Sequence, residues 1–253
     1  MRIRNPSRRL CDGCARQARC PPDPRRHRPV THTEAILRAA DDHLLAPYHP
    51  FDHDLTDRLV VASAEGVQIT DTDGRTYLDA IGGMWCTNIG TGRDEMADAI
   101  AAQVRKLSFA NPFTDMMGAP AVELASKLAT LAPGDLNHVF FTTGGSTAVD
   151  AAFRLVQFYN GCLGRPEKRH ILSREDAYHG STYAAVSIGG KKSDHMAEFQ
   201  YIDDIVHHLS SPNFYRHGAG RTEAEFAEFL FAEFEAKVSE LGAENVAAFF
   251  AEP

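Results

Sequence analysis

Residues 137–160 read NHVFFTTGGSTAVDAAFRLVQFYN. The apolar run VFF ends at two threonines and two glycines, and such a run predicts a buried strand over residues 138–143. Apolar residues then recur at helical spacing, which predicts a helix over residues 146–159. The chain is therefore expected to pass from a strand through a Gly-Gly-Ser turn directly into a helix.

The Gly-Gly-Ser turn has the composition of a phosphate site. Gly144 and Gly145 let the backbone bend sharply and approach a ligand closely. Ser146 lies where the helix begins, beside backbone N–H groups that have no partner within the helix. No lysine follows the glycines and no GxGxxG is present, which excludes a Walker A loop and the dinucleotide fingerprint. The alternative is an ordinary strand-to-helix turn capped by a serine.

A second stretch, DAYHGSTYAA, repeats the Gly-Ser-Thr sequence after another predicted strand. It places Tyr178 and His179 directly before the glycine. Ligands bind beyond the carboxyl ends of the strands in a parallel sheet, so we expect Tyr178 to lie at the same edge as Gly145 and Ser146. An exposed aromatic ring beside a phosphate site suits a flat, phosphorylated ligand. The alternative for Tyr178 is a half-buried anchor of the loop.

The rest of the chain alternates between predicted helices and strands. Helices are predicted within THTEAILRAADDHLLAPY, over residues 93–107 and 118–131, within GSTYAAVSIGG, and after Thr222, whose capping box with Glu225 opens a helix that Gly242 ends. Strands are predicted in a hairpin around Asp73-Gly74, near RHILSRE and in NVAAFFAEP, while residues 190–221 are expected to be loop-rich. The order of elements from residue 138 onward favours an α/β fold with a mainly parallel sheet.

The composition is ordinary for a soluble globular protein, with 43% apolar and 24% charged residues and a net charge of −8. The sequence has neither an apolar run of 18 residues nor the apolar core of a secretory signal, which indicates a cytoplasmic protein. Residues 1–30 hold nine arginines and two aspartates, so the remainder is strongly acidic. An acidic body argues against a general nucleic-acid-binding protein.

Residues 1–31 are interpreted as a basic, disordered leader. A nucleic-acid or membrane arm is a second interpretation of the same charge. Cys11, Cys14 and Cys20 lie in this segment. The CxxC of Cys11 and Cys14 can hold half of a zinc site, Cys20 could add a third ligand, and His27 or His32 could be the fourth. Neither a second CxxC nor an apolar pattern that could fold around a metal accompanies them, which favours a leader without metal.

From about residue 34 to its last residue, the chain resembles the N-terminal part of the class III pyridoxal-phosphate-dependent aminotransferases, of the ω-amino acid or amine:pyruvate type. The resemblance is carried, in this order, by GGMWCTNIGTGRDEMADAI, FFTTGGSTAVDAA, AYHGST, SIGGKKSDH and the closing AEP. It implies a fold-type I architecture with a mainly parallel sheet and flanking helices, truncated before the C-terminal part. Residues 32–87 would belong to a small domain, and residues 88–253 to an incomplete cofactor-binding large domain.

The resemblance also implies a role for two segments in binding pyridoxal 5'-phosphate. Gly144, Gly145 and Ser146 match the loop that holds the cofactor phosphate. The family more often has Ser-Gly-Ser there, so Gly144 would contribute only its backbone. Tyr178 matches the aromatic side chain that stacks on the pyridine ring, and His179 belongs to the same motif.

Two further residues match positions of the family site. Glu252 matches the glutamate that precedes the cofactor-binding aspartate of the family and supports the site. Trp85 matches an aromatic side chain at the mouth of the substrate pocket; the alternative for Trp85 is a core tryptophan that follows a hairpin. Members of the family are homodimers whose active site lies at the subunit interface, which makes a homodimer the expected assembly.

The function that the resemblance implies is amino-group transfer from an amine or ω-amino acid to pyruvate or a similar keto acid. In the family, the lysine that forms a Schiff base with the cofactor and the aspartate that binds the pyridine nitrogen both lie beyond the AEP motif. None of the six lysines of this chain matches that lysine, so the chain by itself is not expected to be catalytic. The alternative is a non-catalytic remnant that binds pyridoxal phosphate, or half of a split enzyme acting as an interaction protein.

Overall fold

A computed structural model describes residues 30–47 and 58–252. The chain divides into two units with a boundary between Gly118 and Ala119, and each unit is described by itself. Most of the predicted leader, with Cys11, Cys14, Cys20 and His27, lies outside the described residues, as does Pro253 of the AEP motif. The expected boundary between residues 87 and 88 stays a prediction.

The first unit opens with helix α1, His32–His43. A capping box fixes its start: Thr31 Oγ1 accepts the Glu34 N–H at 3.1 Å, and the Thr31 N–H donates to Glu34 Oε2 at 2.9 Å. Leu37 is the buried residue of its apolar face. The first predicted helix is thus confirmed.

A three-stranded antiparallel sheet follows α1. Its strands are β1 (Val61–Glu65), β2 (Gln68–Asp71) and β3 (Thr76–Leu78), in the order β1-β2-β3. Asp71 organises the β2–β3 turn, because its Oδ1 accepts the N–H groups of Asp73 and Arg75 at 2.9 and 2.8 Å and its Oδ2 accepts the Tyr77 hydroxyl at 2.8 Å. The hairpin around Asp73-Gly74 is therefore confirmed, and β1 supplies the neighbour that an isolated hairpin requires.

Two helical segments complete the first unit. The short element α2, Gly82–Trp85, has positive φ at all four residues, between 55° and 67°, and is a left-handed turn. Helix α3, Asp94–Lys106, has acidic residues in its first turn and Arg105 and Lys106 in its last, as the helix dipole favours. The predicted helix over residues 93–107 is confirmed.

The second unit alternates helices with parallel strands. Its elements are α4 (Ala119–Ala129), α5 (Gly145–Cys162), β4 (His170–Arg174), α6 (Tyr183–Ile188), a 3-10 turn (Lys192–Asp194), β5 (Val206–Leu209), α7 (Phe214–His217), α8 (Glu223–Leu241) and β6 (Val246–Phe249). Strand β4 lies between β5 and β6 and is parallel to both. This arrangement confirms the α/β fold with a parallel sheet. None of the helices in the described ranges is long and apolar enough to cross a membrane.

The centre of the core lies on β4. Ile171 and Leu172 are fully buried, on the central strand of the sheet. Phe153 of α5, Ile188 of α6 and Val206 of β5 belong to the same buried cluster as Ile171. The packing of α5 and α6 against the sheet brings the loop after β4 next to the first turn of α5.

The structure differs from the sequence-based expectation in two segments. Residues 138–143 form no strand, and Phe140 remains 72% exposed. Apolar composition alone does not make a strand; its backbone groups need a neighbouring strand, and the sheet of the described residues does not include this segment. Conversely, Val206–Leu209 forms β5 within the segment expected to be loop-rich, because β4 offers it a parallel partner.

Helix α8 provides a test of the local sequence signals. Its capping box is present as predicted: the Glu225 N–H donates to Thr222 Oγ1 at 3.3 Å, and the Thr222 N–H donates to Glu225 Oε2 at 2.7 Å. We expect Thr222→Ala to lower the free energy of unfolding by about 1 kcal/mol, the usual cost of losing an N-cap side chain. Thr222→Ser keeps the oxygen and should recover most of the loss in urea denaturation. Equal destabilisation by both variants would contradict this role of the hydroxyl.

Candidate active site

The N-terminus of α5 presents a group of hydrogen-bond donors. The carbonyl oxygen of Gly144 accepts the first helical bond from the Ala148 N–H at 3.0 Å and a second bond from Thr147 Oγ1 at 2.8 Å. No group in the described part of the chain accepts the N–H groups of Gly145, Ser146 and Thr147. These three donors, at the positive end of an 18-residue helix, suit an anion such as a phosphate.

The two glycines before this turn do not adopt a glycine-only conformation. Gly144 is extended, with φ and ψ both 174°, and Gly145 has no positive φ. The chain does bend at Thr143 and Gly144, as expected, but neither glycine uses a conformation reserved for glycine. A Cβ added at either glycine would meet nothing within 4 Å. Both glycines are exposed and border open space at the start of α5.

The second Gly-Ser-Thr segment touches the first. The Ser181 N–H donates to Ser146 Oγ at 3.0 Å, and Thr182 Oγ1 donates to the carbonyl oxygen of Ser146 at 3.3 Å. Gly180, which precedes Ser181, is buried against Ser146 and has a φ of +131°. A Cβ at Gly180 would lie 2.5 Å from Ser146 Oγ. The structure therefore brings the loop after β4 against the first turn of α5, as the sequence predicts for parallel elements.

Tyr178 and Glu252 meet at the carboxyl edge of the sheet. The Tyr178 N–H donates to Glu252 Oε1 at 3.2 Å, and Arg174 donates through Nη2 to the carbonyl oxygen of Glu252. These bonds join the loop after β4 to the segment after β6. The Tyr178 side chain remains 48% exposed, so its ring offers a face on which a flat ligand could stack.

His179 is half-buried, and its Nε2 is a buried atom without a hydrogen-bond partner among the described residues. Its ring meets that of Phe250 edge-to-face, with the centroids 6.2 Å apart. Burial lowers the pKa of His179 and outweighs the nearby Glu252 carboxylate, which raises it; the charges of Arg174 and His208 lower it further. These influences together disfavour the protonated imidazole.

Trp85 lies in the first unit, at the end of the left-handed turn α2. Its φ is 67° and its side chain is 76% exposed. The interpretation of Trp85 as a core residue is therefore wrong within that unit, because a core tryptophan would be buried. Its expected place at the mouth of a substrate pocket stays a prediction.

Four residues of this edge were not identified from the sequence as site residues: Asp150, Gly180, Ser181 and Thr182. Asp150 Oδ1 accepts the Ala185 N–H at 2.9 Å. Two signals were available in the sequence. The Gly-Ser-Thr sequence occurs twice, and Asp150 follows Ser146 by four residues, which places both side chains on one face of α5.

The donor set fits a flat phosphorylated ligand better than a metal. Its polar groups are backbone N–H donors and a serine hydroxyl, and they lie beside an exposed aromatic ring. Over the ranges that the structure describes, no group of three or more histidine, cysteine or acidic side chains could hold a metal ion. The candidate zinc ligand His32 lies within these ranges, whereas Cys11, Cys14 and Cys20 lie outside them.

Comparison with known proteins places these residues in one family. Residues 51–253 match the family model described as aminotransferase class-III. The chain is 42% identical over 214 residues to the putrescine–pyruvate aminotransferase of Pseudomonas aeruginosa, covering 84% of this chain and 46% of that protein. It is 38% identical over 197 residues to the mitochondrial gamma-aminobutyrate transaminase 1 of Oryza sativa subsp. indica, covering 77% of this chain and 38% of that protein.

Solved structures give the same result for the fold. The (S)-enantioselective omega-transaminase of Thermomicrobium roseum superposes with a TM-score of 0.83 at 35% identity, covering 87% of this chain and 49% of that one. The omega transaminase of Pseudomonas jessenii in complex with PMP superposes with a TM-score of 0.83 at 32% identity, covering 86% of this chain and 48% of that one. The chain spans about half the length, or less, of the relatives that it matches.

Proposed function

The chain belongs to the class III aminotransferases, and on this premise we propose that it holds pyridoxal 5'-phosphate for amino-group transfer. The proposed reaction moves an amino group from an amine or ω-amino acid to pyruvate or a similar keto acid. The family is pyridoxal-phosphate-dependent, and one structural relative was solved with PMP. Because the chain spans about half of its relatives, both the reaction and its substrates are proposals for this protein.

A single observation carries the proposal: the two Gly-Ser-Thr segments meet through Ser146. The Ser181 N–H on Ser146 Oγ, at 3.0 Å, joins the start of α5 to the loop that carries Tyr178. A phosphate at the free N–H groups of residues 145–147 would then lie near an exposed aromatic ring. Two separate segments thus combine into a site for a ligand that has both a phosphate and a flat ring.

Each group has a role in holding this ligand. The N–H groups of Gly145, Ser146 and Thr147 and the Ser146 hydroxyl would bind the phosphate, and Tyr178 would stack on the ring. Glu252 holds the Tyr178 backbone at 3.2 Å and so orients the loop that carries the ring. His179 belongs to the same loop, where its ring packs edge-to-face against Phe250. Pyridoxal phosphate, when bound, supplies the electron sink that the reaction requires.

The chain's own lysines are proposed not to react with the cofactor. They are Lys106, Lys127, Lys168, Lys191, Lys192 and Lys237. Lys191 contacts Asp194 at 3.5 Å and Lys237 contacts Glu240 at 2.7 Å, which supports ordinary ion-pair roles for these two. We propose that the chain supplies the phosphate and ring sites, and that the reactive lysine comes from outside these 253 residues.

A homodimer and a cytoplasmic location remain the proposed assembly and location.

Borohydride reduction tests this division of roles. We expect the purified chain to bind pyridoxal phosphate more tightly than pyridoxal, because only the former has a phosphate. After reduction and peptide mapping by mass spectrometry, no single lysine should carry the cofactor stoichiometrically, and transamination between an ω-amino acid and pyruvate should be absent. Stoichiometric labelling of one lysine, with turnover, would show that the chain is catalytic by itself.

A further inference from the structure

The N-terminus of α6 lacks the capping bond that its sequence suggests. Thr182 is the N-cap residue, yet its side chain makes no capping bond to α6. Its hydroxyl instead donates to the carbonyl oxygen of Ser146, at 3.3 Å. An N-cap side chain normally accepts an N–H of the second or third helical residue. In α6, a residue from another part of the chain accepts that N–H instead.

Asp150 takes over the cap. Its Oδ1 accepts the N–H of Ala185, the third residue of α6, at 2.9 Å. The capping oxygen therefore comes from α5, 35 residues earlier in the chain. Asp150 is half-buried and lies one helical turn after Ser146, on the same face of α5. One face of α5 thus holds both the loop that carries Ser181 and the helix that follows it.

The bond between Ser181 and Ser146 decides what the serine hydroxyl can do. A hydroxyl has one hydrogen and two acceptor lone pairs. Since Ser146 Oγ accepts the Ser181 N–H at 3.0 Å, one lone pair is occupied and the hydroxyl hydrogen cannot point toward Ser181. That hydrogen is left for another acceptor. At the N-terminus of α5, a phosphate oxygen is the acceptor that suits it.

We propose that Asp150 is a positioning residue for the phosphate site. The Asp150 carboxylate, which belongs to α5, caps α6 and thereby fixes the loop before α6. The Ser181 N–H of that loop then stays bonded to Ser146 Oγ. This bond keeps the Ser146 hydroxyl oriented to donate to a phosphate. Asp150 itself touches no ligand in this arrangement. The inference rests on the proposed cofactor site and adds a residue to it that acts through α6.

Substitution of Asp150 tests this role by ligand affinity. We expect Asp150→Ala to weaken binding of pyridoxal phosphate by about 5- to 10-fold, the range of one lost positioning hydrogen bond. Binding of pyridoxal, which lacks the phosphate, should change less than 2-fold. Asp150→Asn keeps an acceptor oxygen and should restore most of the affinity. The matched control is Asp204→Ala, which removes the same charge from an exposed position.

A double-mutant cycle separates positioning from general loss of structure. If Asp150 acts through Ser146, then Asp150→Ala should have little further effect on pyridoxal phosphate affinity in a Ser146→Ala background. An equal loss of affinity for both ligands would indicate a merely structural role and overturn the proposal. Tighter phosphate binding in both Asp150→Ala and Asp150→Asn would also overturn it, because it would mean that charge repulsion dominates.

The wild-type chain distinguishes failure of this inference from failure of the proposed function. If the wild type binds pyridoxal phosphate no better than pyridoxal, the phosphate site itself is wrong, and the role of Asp150 is wrong with it. If the wild type prefers pyridoxal phosphate and Asp150→Ala preserves that preference in full, only the positioning role is overturned.

Discussion

Gly180→Ala is expected to lower the free energy of unfolding of the second unit by about 3 kcal/mol or more. Two costs combine. The φ of +131° at Gly180 is a conformation that residues with a side chain rarely adopt, which costs about 1–3 kcal/mol. The added Cβ would also lie 2.7 Å from the Ser146 Cα and 2.8 Å from its Cβ, and overpacking of this kind costs about 1–3 kcal/mol.

The Gly180 variant cannot escape the clash by rotating a side chain, because one of the atoms it meets belongs to the backbone of α5. Relief requires separation of the loop from α5, which breaks the Ser181–Ser146 bond. Urea denaturation followed by circular dichroism measures the stability. Gly144→Ala is the control, since a Cβ there meets nothing within 4 Å and the φ of 174° suits any residue. Comparable stability of the two variants would contradict the close approach at Gly180.

Ser146→Ala should reduce the affinity for pyridoxal phosphate by about 10- to 100-fold. A hydrogen bond to a charged group contributes about 1.5–3 kcal/mol, and each 1.4 kcal/mol is a factor of ten in affinity. The substitution also leaves the Ser181 N–H without its acceptor, which loosens the loop that carries Tyr178. Affinity for pyridoxal should fall by less than about 3-fold, because the ring contacts remain.

Isothermal titration with the two ligands measures the effect of Ser146→Ala. Ser193→Ala is the matched control: it also removes a serine hydroxyl, but one that is exposed and bonded to Asp194 in another loop. Its affinity for both ligands should equal that of the wild type. An equal decrease for pyridoxal and pyridoxal phosphate in Ser146→Ala would place the phosphate elsewhere in the molecule.

Local signals in the sequence predicted local structure well. The Thr222–Glu225 capping box and the Asp73-Gly74 turn each depend on a few neighbouring residues, and both are found in the structure. Residues 138–143 show where such signals fail. Their apolar run is that of a strand, but strand formation depends on a neighbour that the local sequence does not describe. The same dependence explains β5, whose short sequence VHHL becomes a strand beside β4.

The sequence identified the two segments of the candidate site, but it did not predict how they contact each other. The composition of GGST and AYHGST indicated a phosphate and a flat ring. The hydrogen bond that joins the segments links Ser146 to Ser181, 35 residues later. Periodic patterns in a sequence indicate only contacts between neighbouring turns or strand positions, so they could not predict it. The requirement for glycine at position 180 and the cap supplied by Asp150 follow from this packing, so both became visible only in three dimensions.

The hydrogen bond between Tyr178 and Glu252 has a consequence for the order in which the two halves of the site form during synthesis. Its partners are 74 residues apart, whereas the Ser146–Ser181 and Asp150–Ala185 bonds each span 35. Ribosomes add about 5–20 residues per second. Ala185 precedes Glu252 by 67 residues. The phosphate half of the site can therefore leave the ribosome complete about 3–13 s before Glu252 does, and the bond that fixes the Tyr178 backbone forms only after that interval.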